Sequence, residues 1–221
     1  MVTAVDGTAA SGKGTLAQKL AEHFRFGHLD SGSLYRLVAL TVADAGGDPS
    51  REQDAVAGAH RIDVSKREDA RVRSVEIGRA ASQVSVFLEV RKALLQFQRE
   101  FAAHPPGGAR GAVIDGRDIG TVVCPDAVAK LFVDAAPEIR AHRRWIELKG
   151  RGEHADEAGL LAEILERDRR DRERAIAPLK SAPDALLLDT THLDIDAAFA
   201  AALALVKPKV EEALKALPQG F

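Results

Sequence analysis

Val5-Asp6-Gly7-Thr8-Ala9-Ala10-Ser11-Gly12-Lys13-Gly14-Thr15, residues 5–15, decides how the chain is read. The stretch runs from the end of an apolar strand, through a glycine-rich turn, into a helix. Gly7, four residues, then Gly12 and Lys13 is the spacing of a phosphate-binding P-loop. Gly7 and Gly12 allow backbone angles that let successive N–H groups turn inward on a phosphate. The helix expected from about Gly14 adds unpaired N–H groups and the positive end of its dipole. Lys13 then reaches outer phosphates as a point charge, and a hydroxyl can meet a magnesium ion. Gly14 occupies the position where such loops usually carry Ser or Thr, and Thr15 follows it.

The flanks agree with that reading. Val2 to Val5 is a short, largely β-branched run, and Leu16, Leu20 and Phe24 recur on one helical face. The chain has 221 residues, room for one α/β domain with appendages. A net charge of −2 excludes a general nucleic-acid binder, so any phosphate site must be a local concentration of arginine. The single cysteine, Cys124, excludes an internal disulfide and fits a reducing cytoplasm. No apolar run approaches the roughly 18 residues of a membrane span. Because the first strand starts at Val2, no signal peptide is expected. The absence of asparagine excludes the Asn-Lys-x-Asp guanine signature of many GTPases.

Working outward, Arg25 to Leu29 reads as a second strand. Asp30 or Ser31 can cap a helix from Ser33 to about Ala45, with Leu34, Leu37, Val38 and Thr41 as its buried stripe. Ser31, Tyr35 and Arg36 place a hydroxyl, a phenol and a cation at a second helix start, which suits another phosphate. Glu52 to His60 is a short helix, and Arg67 to Arg73 an exposed charged stretch. Helical periodicity returns from Ser74, with Ser82 in it, and continues from Phe87 to Phe101, with Arg91 among the apolar positions. Pro105-Pro106-Gly107-Gly108 is a break. Ala112 to Asp115 is a buried strand that ends in the compact turn Asp115-Gly116-Arg117-Asp118, placed to meet ligands beyond the carboxyl end of a parallel sheet.

Lys130 to Val133 is a fourth strand, and Pro137 opens a helix on which Arg140, Arg143 and Arg144 share one face. Another helix runs from about Asp156 to Ala175, with Arg167, Arg170, Asp171 and Arg174 in one stripe. Two arginine-rich helices joined by a loop with Gly150 and Gly152 suit a mobile lid that closes over polyphosphate. Leu186 to Asp189 is a fifth strand. A final alanine-rich helix from Ile195 is expected to kink or split at Pro208. Strands separated by helices give an α/β fold, a doubly wound five-stranded parallel sheet with a P-loop and helical insertions. The seven histidines are scattered and read as structural or surface residues; no metal-ligand cluster is seen.

In this order and spacing the motifs resemble the bacterial cytidylate kinases, among the P-loop nucleoside monophosphate kinases. The resemblance spans nearly the whole chain. It rests on Gly7 to Thr15, Asp30-Ser31-Gly32-Ser33-Leu34-Tyr35-Arg36, Ala80-Ala81-Ser82-Gln83-Val84 with Arg91, and Asp115-Gly116-Arg117-Asp118-Ile119-Gly120-Thr121-Val122-Val123. It continues in Arg140-Ala141-His142-Arg143-Arg144 and in Glu166-Arg167-Asp168 through Arg174 to Leu179. Thr8 stands where many relatives have proline, and the stretch from about Asp63 to Arg73 is shorter than in the longer members.

The resemblance implies a core (residues 1–34, 108–139 and 176–221), a monophosphate-binding region (35–107) and a lid (140–175). It implies phosphoryl transfer from ATP to CMP or dCMP. The expected setting is the cytoplasm and the expected state a monomer, without nucleic-acid or membrane partners. Gly7, Thr8, Ala9, Ala10, Ser11, Gly12, Lys13, Gly14 and Thr15 would cradle ATP, with Thr15 toward Mg2+. Ser31, Arg36 and Arg174 would hold the CMP phosphate with help from Arg117; Ser82, Arg91 and Asp118 would read cytosine; Arg167 and Asp171 would meet the sugar; Tyr35 and Asp115 complete the substrate-binding set. Lys13, Arg140, Arg144 and Arg174 would be the catalytic cations. Two other readings stay open on residues alone: a kinase for a different small acceptor, and a regulatory module that senses or hydrolyses ATP.

Overall fold

A computed structural model describes residues 1–216. It divides into two units, Met1–His28 with the chain from Ala102 onward, and Leu29–Phe101. In chain order the elements are β1 (Val2–Gly7), α1 (Lys13–Phe24), β2 (Gly27–Asp30), α2 (Ser31–Asp44), α3 (Glu52–Ala59), α4 (Val75–Val84) and α5 (Leu88–Ala103). There follow β3 (Ala112–Gly116), β4 (Ala129–Asp134), α6 (Pro137–Gly150), α7 (Glu157–Glu173), β5 (Leu186–Asp189) and α8 (Ile195–Ala216).

The sheet has five strands in the order β2-β3-β1-β4-β5. β1 lies parallel between β3 and β4, and β4 is parallel to β5. That order makes β1 the switch point, because the chain leaves it to build one side and later returns to build the other. In open α/β sheets ligands collect outside the carboxyl ends of strands at such a point. Register brings those ends level: Asp6 pairs with Gly116, Gly7 with Val133, and Asp134 with Asp189. The apolar residues behind them close the first unit's core. Val5, Val113, Leu131 and Val133 pack with Leu16 and Leu20 of α1, and with Ala198, Ala202, Val206 and Val210, a four-residue repeat along one face of α8.

The second unit is built on α2, which buries two faces. Leu34, Val38 and Val42 pack with Ala55 and Ala59 of α3 and with Val90 and Leu94 of α5. Leu37 and Leu40 pack with Val72, Ile77, Ala80 and Ala81.

Three boundaries differ from the sequence expectation. β2 starts at Gly27, because Arg25 takes a left-handed conformation (φ 56°) that closes α1. α2 starts at Ser31, because the Asp30 carboxylate caps the Ser33 amide at 3.2 Å. α8 runs unbroken through Pro208; the proline is exposed, so the carbonyl it leaves unbonded can be satisfied by water. The charged stretch before α4 also carries more structure than its composition suggests. It forms two short 3-10 turns, capped by Asp63 and Asp69, and Val72 within it is buried.

Candidate active site

The loop after β1 is shaped by backbone geometry first. Gly7 has φ 154°, and a Cβ there would lie 2.0 Å from the Val133 carbonyl oxygen of β4. No other residue fits that approach. Ala10 (φ 58°) and Gly12 (φ 88°) take left-handed conformations, and such alternation turns consecutive amides to one side as an anion-binding nest. The carbonyls of the loop are held from elsewhere. Ser11 Oγ donates to the Thr8 carbonyl at 3.0 Å and Lys13 Nζ lies 3.4 Å from the same oxygen. Arg140 Nη1 donates to the Ala9 carbonyl at 3.1 Å, and Thr190 Oγ1 to the Ser11 carbonyl at 3.0 Å. Thr8 Oγ1 donates to Asp134 Oδ1 at 2.6 Å, which ties the loop to the end of β4.

Arg140, Arg143 and Arg144 do not act alike. Arg140 is 1% exposed and makes a two-pronged pair with Asp168 of α7 (3.1 and 2.6 Å), besides its bonds to the Ala135 and Ala9 carbonyls. It is a buried strut beneath the loop, and not part of an exposed lid face as the helical spacing suggested. Arg143 donates to the Thr190 hydroxyl and to the Thr190 and Leu193 carbonyls, fixing the segment after β5. Burial lowers its pKa from the ordinary arginine value. Arg144 pairs with Glu147 at 2.6 Å.

The turn after β3 and the end of α7 form one charged cluster. Arg117 Nε donates to Asp171 Oδ2 at 2.9 Å; Arg174 Nη2 lies 3.8 Å from Asp118 Oδ1, and Arg174 Nη1 lies 4.0 Å from Asp171 Oδ1. Arg174 Nε also donates to the Ala177 carbonyl at 2.7 Å. Burial alone pushes the Asp171 carboxyl up. The guanidinium groups of Arg117, Arg167 and Arg174 outweigh that and hold it below the usual carboxylate range. The cluster sets the cations of Arg117, Arg167 and Arg174 beside the Asp171 and Asp118 carboxylates, guanidinium groups of the kind that bind phosphate through paired N–H donors. Asp115 faces His28 of β2 at 3.0 Å and the start of α1, where a Cβ on Gly14 would lie 3.7 Å from its Oδ2. Thr15 is exposed on the first turn of α1.

In the second unit, Arg36 donates to the Val72 carbonyl at 2.7 Å and the Ser74 carbonyl at 3.2 Å. That fixes its guanidinium against α4 at Gly78, where a Cβ would come within 3.0 Å of Nη2. Arg91 stacks over the Tyr35 ring at 5.5 Å and donates to the Ser85 carbonyl at 3.2 Å; Ser85 in turn donates to the Ser82 carbonyl at 2.9 Å. Ser31 and Ser82 are both buried, Ser31 as the first residue of α2.

Sequence reasoning named the loop, the turn and the arginines, and missed what supports them: Asp6, Asp134, Asp168, Thr190 and Gly78. A signal existed for two of these. Asp6, Asp115, Asp134 and Asp189 each close an apolar run, one per strand. Asp168 stood in the Glu166-Arg167-Asp168 motif, but nothing there pointed to Arg140 as its partner.

A family model described as cytidylate kinase matches residues 3–208. A cytidylate kinase of Rhodopseudomonas palustris (strain TIE-1) is 54% identical over 207 residues, covering 94% of this chain and 96% of that one. One of Afipia carboxidovorans is 55% identical over 207 residues, covering 94% and 97%. Among solved structures, an uncharacterized protein from Eubacterium ventriosum ATCC 27560 superposes with a TM-score of 0.52 at 15% identity, over 94% of this chain and 98% of that chain, a likeness of fold alone.

Proposed function

The chain belongs to the cytidylate kinase family, and from that membership we infer that it transfers the γ-phosphoryl group of ATP to CMP or dCMP, giving ADP and CDP or dCDP. The observation that carries this reading is the family match across residues 3–208, which takes in the loop, the Arg117–Asp118 turn and the α6–α7 arginines together.

The acceptor is already an anionic phosphate oxygen, so no general base is required. Catalysis then consists of in-line positioning and charge neutralisation. In our reading residues 7–15 cradle the ATP phosphates with Lys13 on the outer ones. Lys13, Arg144 and Arg174 offset charge on the transferred group, and Arg140 serves the same end by holding the loop from beneath. Ser31, Arg36 and Arg174 bind the CMP phosphate with help from Arg117, and Tyr35 belongs to the same substrate-binding set. Ser82 and Arg91 donate to the ring acceptors of cytosine, and Asp118 accepts from its amino group. Arg167 and Asp171 meet the sugar. We assign residues 140–175 as a lid over a core of 1–34, 108–139 and 176–221, with 35–107 binding the monophosphate. The Arg140–Asp168 pair anchors the lid at its base, so its moving part is the distal end around Gly150 and Gly152.

The donor set suits magnesium carried on the ATP phosphates. A hydroxyl (Thr15) and a buried carboxylate (Asp115) stand at the start of α1, and Mg2+ favours one or two such ligands with water and phosphate over a protein cage. Bound there, the ion would screen phosphate charge and help align the phosphates. The partners we propose are small nucleotides only. The setting we propose is a monomer in the cytoplasm, from the lone cysteine; among the described residues no helix is long and apolar enough to cross a membrane.

The test is ADP formation from ATP and magnesium with CMP, dCMP, UMP, AMP, GMP or no acceptor. Strong turnover with CMP and dCMP, weak with UMP and almost none without acceptor is expected. Preference for another acceptor would keep the loop chemistry and remove the base assignment. Equal turnover with no acceptor would make the protein an ATPase.

A further inference from the structure

Asp6 is an acid that the proposed chemistry does not use. It is the last residue before Gly7, 5% exposed, and enclosed by the sheet. Its two carboxylate oxygens are both committed across strands. Oδ1 accepts from the Ile119 amide and Oδ2 from the Gly120 amide, each at 2.8 Å. Those amides open the π-helical turn Ile119–Val123 that follows Asp118 directly. Asp118 itself has an irregular backbone conformation (φ −146°, ψ 25°), and its carbonyl accepts from the Val122 and Val123 amides of the same turn. A shift of residues 119 and 120 therefore reaches Asp118 both through the peptide link and through the turn it closes. Burial raises the Asp6 carboxyl to about 6 against the pull of these two amides. A carboxylate retained in so dry a place, with no cation bonded to it, is spent on those two bonds.

We propose that Asp6 is a positioning residue for acceptor choice: it fastens the turn carrying Arg117 and Asp118 to the first residue of the phosphate loop, and so fixes the distance between the base-reading carboxylate and the ATP cradle. The inference rests on the assignment of Asp118 to cytosine. Asp6 touches no substrate, and it acts through Asp118.

Asp6→Asn keeps the shape but presents an amide nitrogen to one of the two backbone donors, which breaks one bond and sets donor against donor. A misplacement of about 1 Å costs on the order of 10²-fold, so kcat/KM for CMP should fall by roughly 10- to 100-fold. UMP, which cannot give Asp118 an amino hydrogen, should lose less, and the CMP-to-UMP ratio of kcat/KM should fall about tenfold. The experiment measures that ratio in the parent, Asp6→Asn, Asp118→Ala and the double variant. Support is a lower ratio in each single variant with no further fall, within about twofold, when Asp6→Asn is added to Asp118→Ala. Equal loss for CMP and UMP in Asp6→Asn, or full additivity in the double variant, overturns the inference while leaving the base assignment standing. Undiminished discrimination in Asp118→Ala refutes the base assignment itself and the inference with it. If Asp6→Asn does not fold, Gly120→Ala takes its place. Its Cβ would lie 3.1 Å from Lys130 Cδ, tighter than ordinary contact, and 3.4 Å from Asp6 Oδ2, crowding the residue whose amide Asp6 holds without changing a charge. It should lower the ratio about threefold, and an unchanged ratio overturns the inference.

Discussion

Replacing Asp168 by alanine should do more damage than any change on the exposed faces of α6 and α7, and the reason is solvent. Arg140 and Asp168 have side chains only 2% and 4% exposed, joined by bonds of 2.6 and 3.1 Å. With the carboxylate gone, the guanidinium keeps its carbonyl partners at Ala135 and Ala9 but stays charged and dry. Removing one partner of a buried pair costs about 3–5 kcal/mol. For a chain of this size each kcal/mol moves the melting midpoint by about 2–4 °C, so Asp168→Ala should melt about 10 °C below the parent. Glu166, on the same helix, pairs with Arg169 and Arg170 in solvent, and Glu166→Ala should leave the midpoint unchanged.

The sharper comparison is the double variant Arg140→Met, Asp168→Leu. It removes both charges, and buried pairs replaced by apolar residues are commonly neutral or better. Most of the lost stability should return. Turnover should not return, because the Ala9 carbonyl has lost the donor that holds the loop; a loss of at least tenfold in kcat is expected against the parent. Thermal melting by circular dichroism and a coupled ADP assay read the two quantities separately. A midpoint for Asp168→Ala within about 2 °C of the parent, or a double variant no more stable than the single, would refute the reasoning. Full activity in the double variant would remove Arg140 from loop positioning.

Lys13→Ala should lower kcat on the order of 10²-fold or more with the fold intact, as expected for loss of an electrostatic stabiliser; normal turnover in the same assay would end its assignment. Gly7→Ala should not give active enzyme, since a Cβ 2.0 Å from the Val133 carbonyl forces β1 and β4 apart by about 1 Å where the loop begins; nucleotide binding followed by calorimetry at parental affinity would contradict this. Stability should also carry the mark of Asp6. Burial holds its folded pKa at about 6, above the ordinary value of 3.8, so the native state binds more protons between these values and its contribution is lost as pH rises through 6. The loss is worth roughly 3 kcal/mol, and Asp6→Asn should flatten urea-unfolding stability between pH 4 and 6 relative to the parent. An identical pH slope in the two proteins would place the Asp6 pKa near its ordinary value.

How much of this was legible in the sequence depends on how local the determinant is. β5 is found at Leu186–Asp189, where its run of three leucines closed by an aspartate predicts it, because the signal lies wholly within those four residues. The loop was legible because glycine spacing is a local signal. Arg140 was not: helical spacing places it beside Arg143 and Arg144, and nothing in the sequence says that Asp168 faces it from 28 residues away. Gly78 was equally silent, since it is required by a guanidinium from another helix and not by its own backbone. Pro208 did not split its helix: the position is exposed, so the carbonyl left without a donor meets water.

The aspartates that close β1, β3, β4 and β5 raise a problem that their partners resolve. Register gathers those strand ends at one edge of the sheet, the edge where the anion-binding loop begins. Four bare carboxylates there would repel a polyphosphate. Each is occupied instead. Asp6 takes the amides of Ile119 and Gly120, Asp134 takes the Thr8 hydroxyl and the Ala135 amide, Asp189 takes the amide and hydroxyl of Thr191, and Asp115 faces His28. Their negative charge is thus spread onto loop N–H and O–H groups, and the same bonds fix the loops that must present their other amides to phosphate. An amide or alanine at any of these positions loosens one loop while lowering local negative charge. Binding of a bare anion such as pyrophosphate should then suffer less than phosphoryl transfer, because transfer depends on alignment and binding on charge.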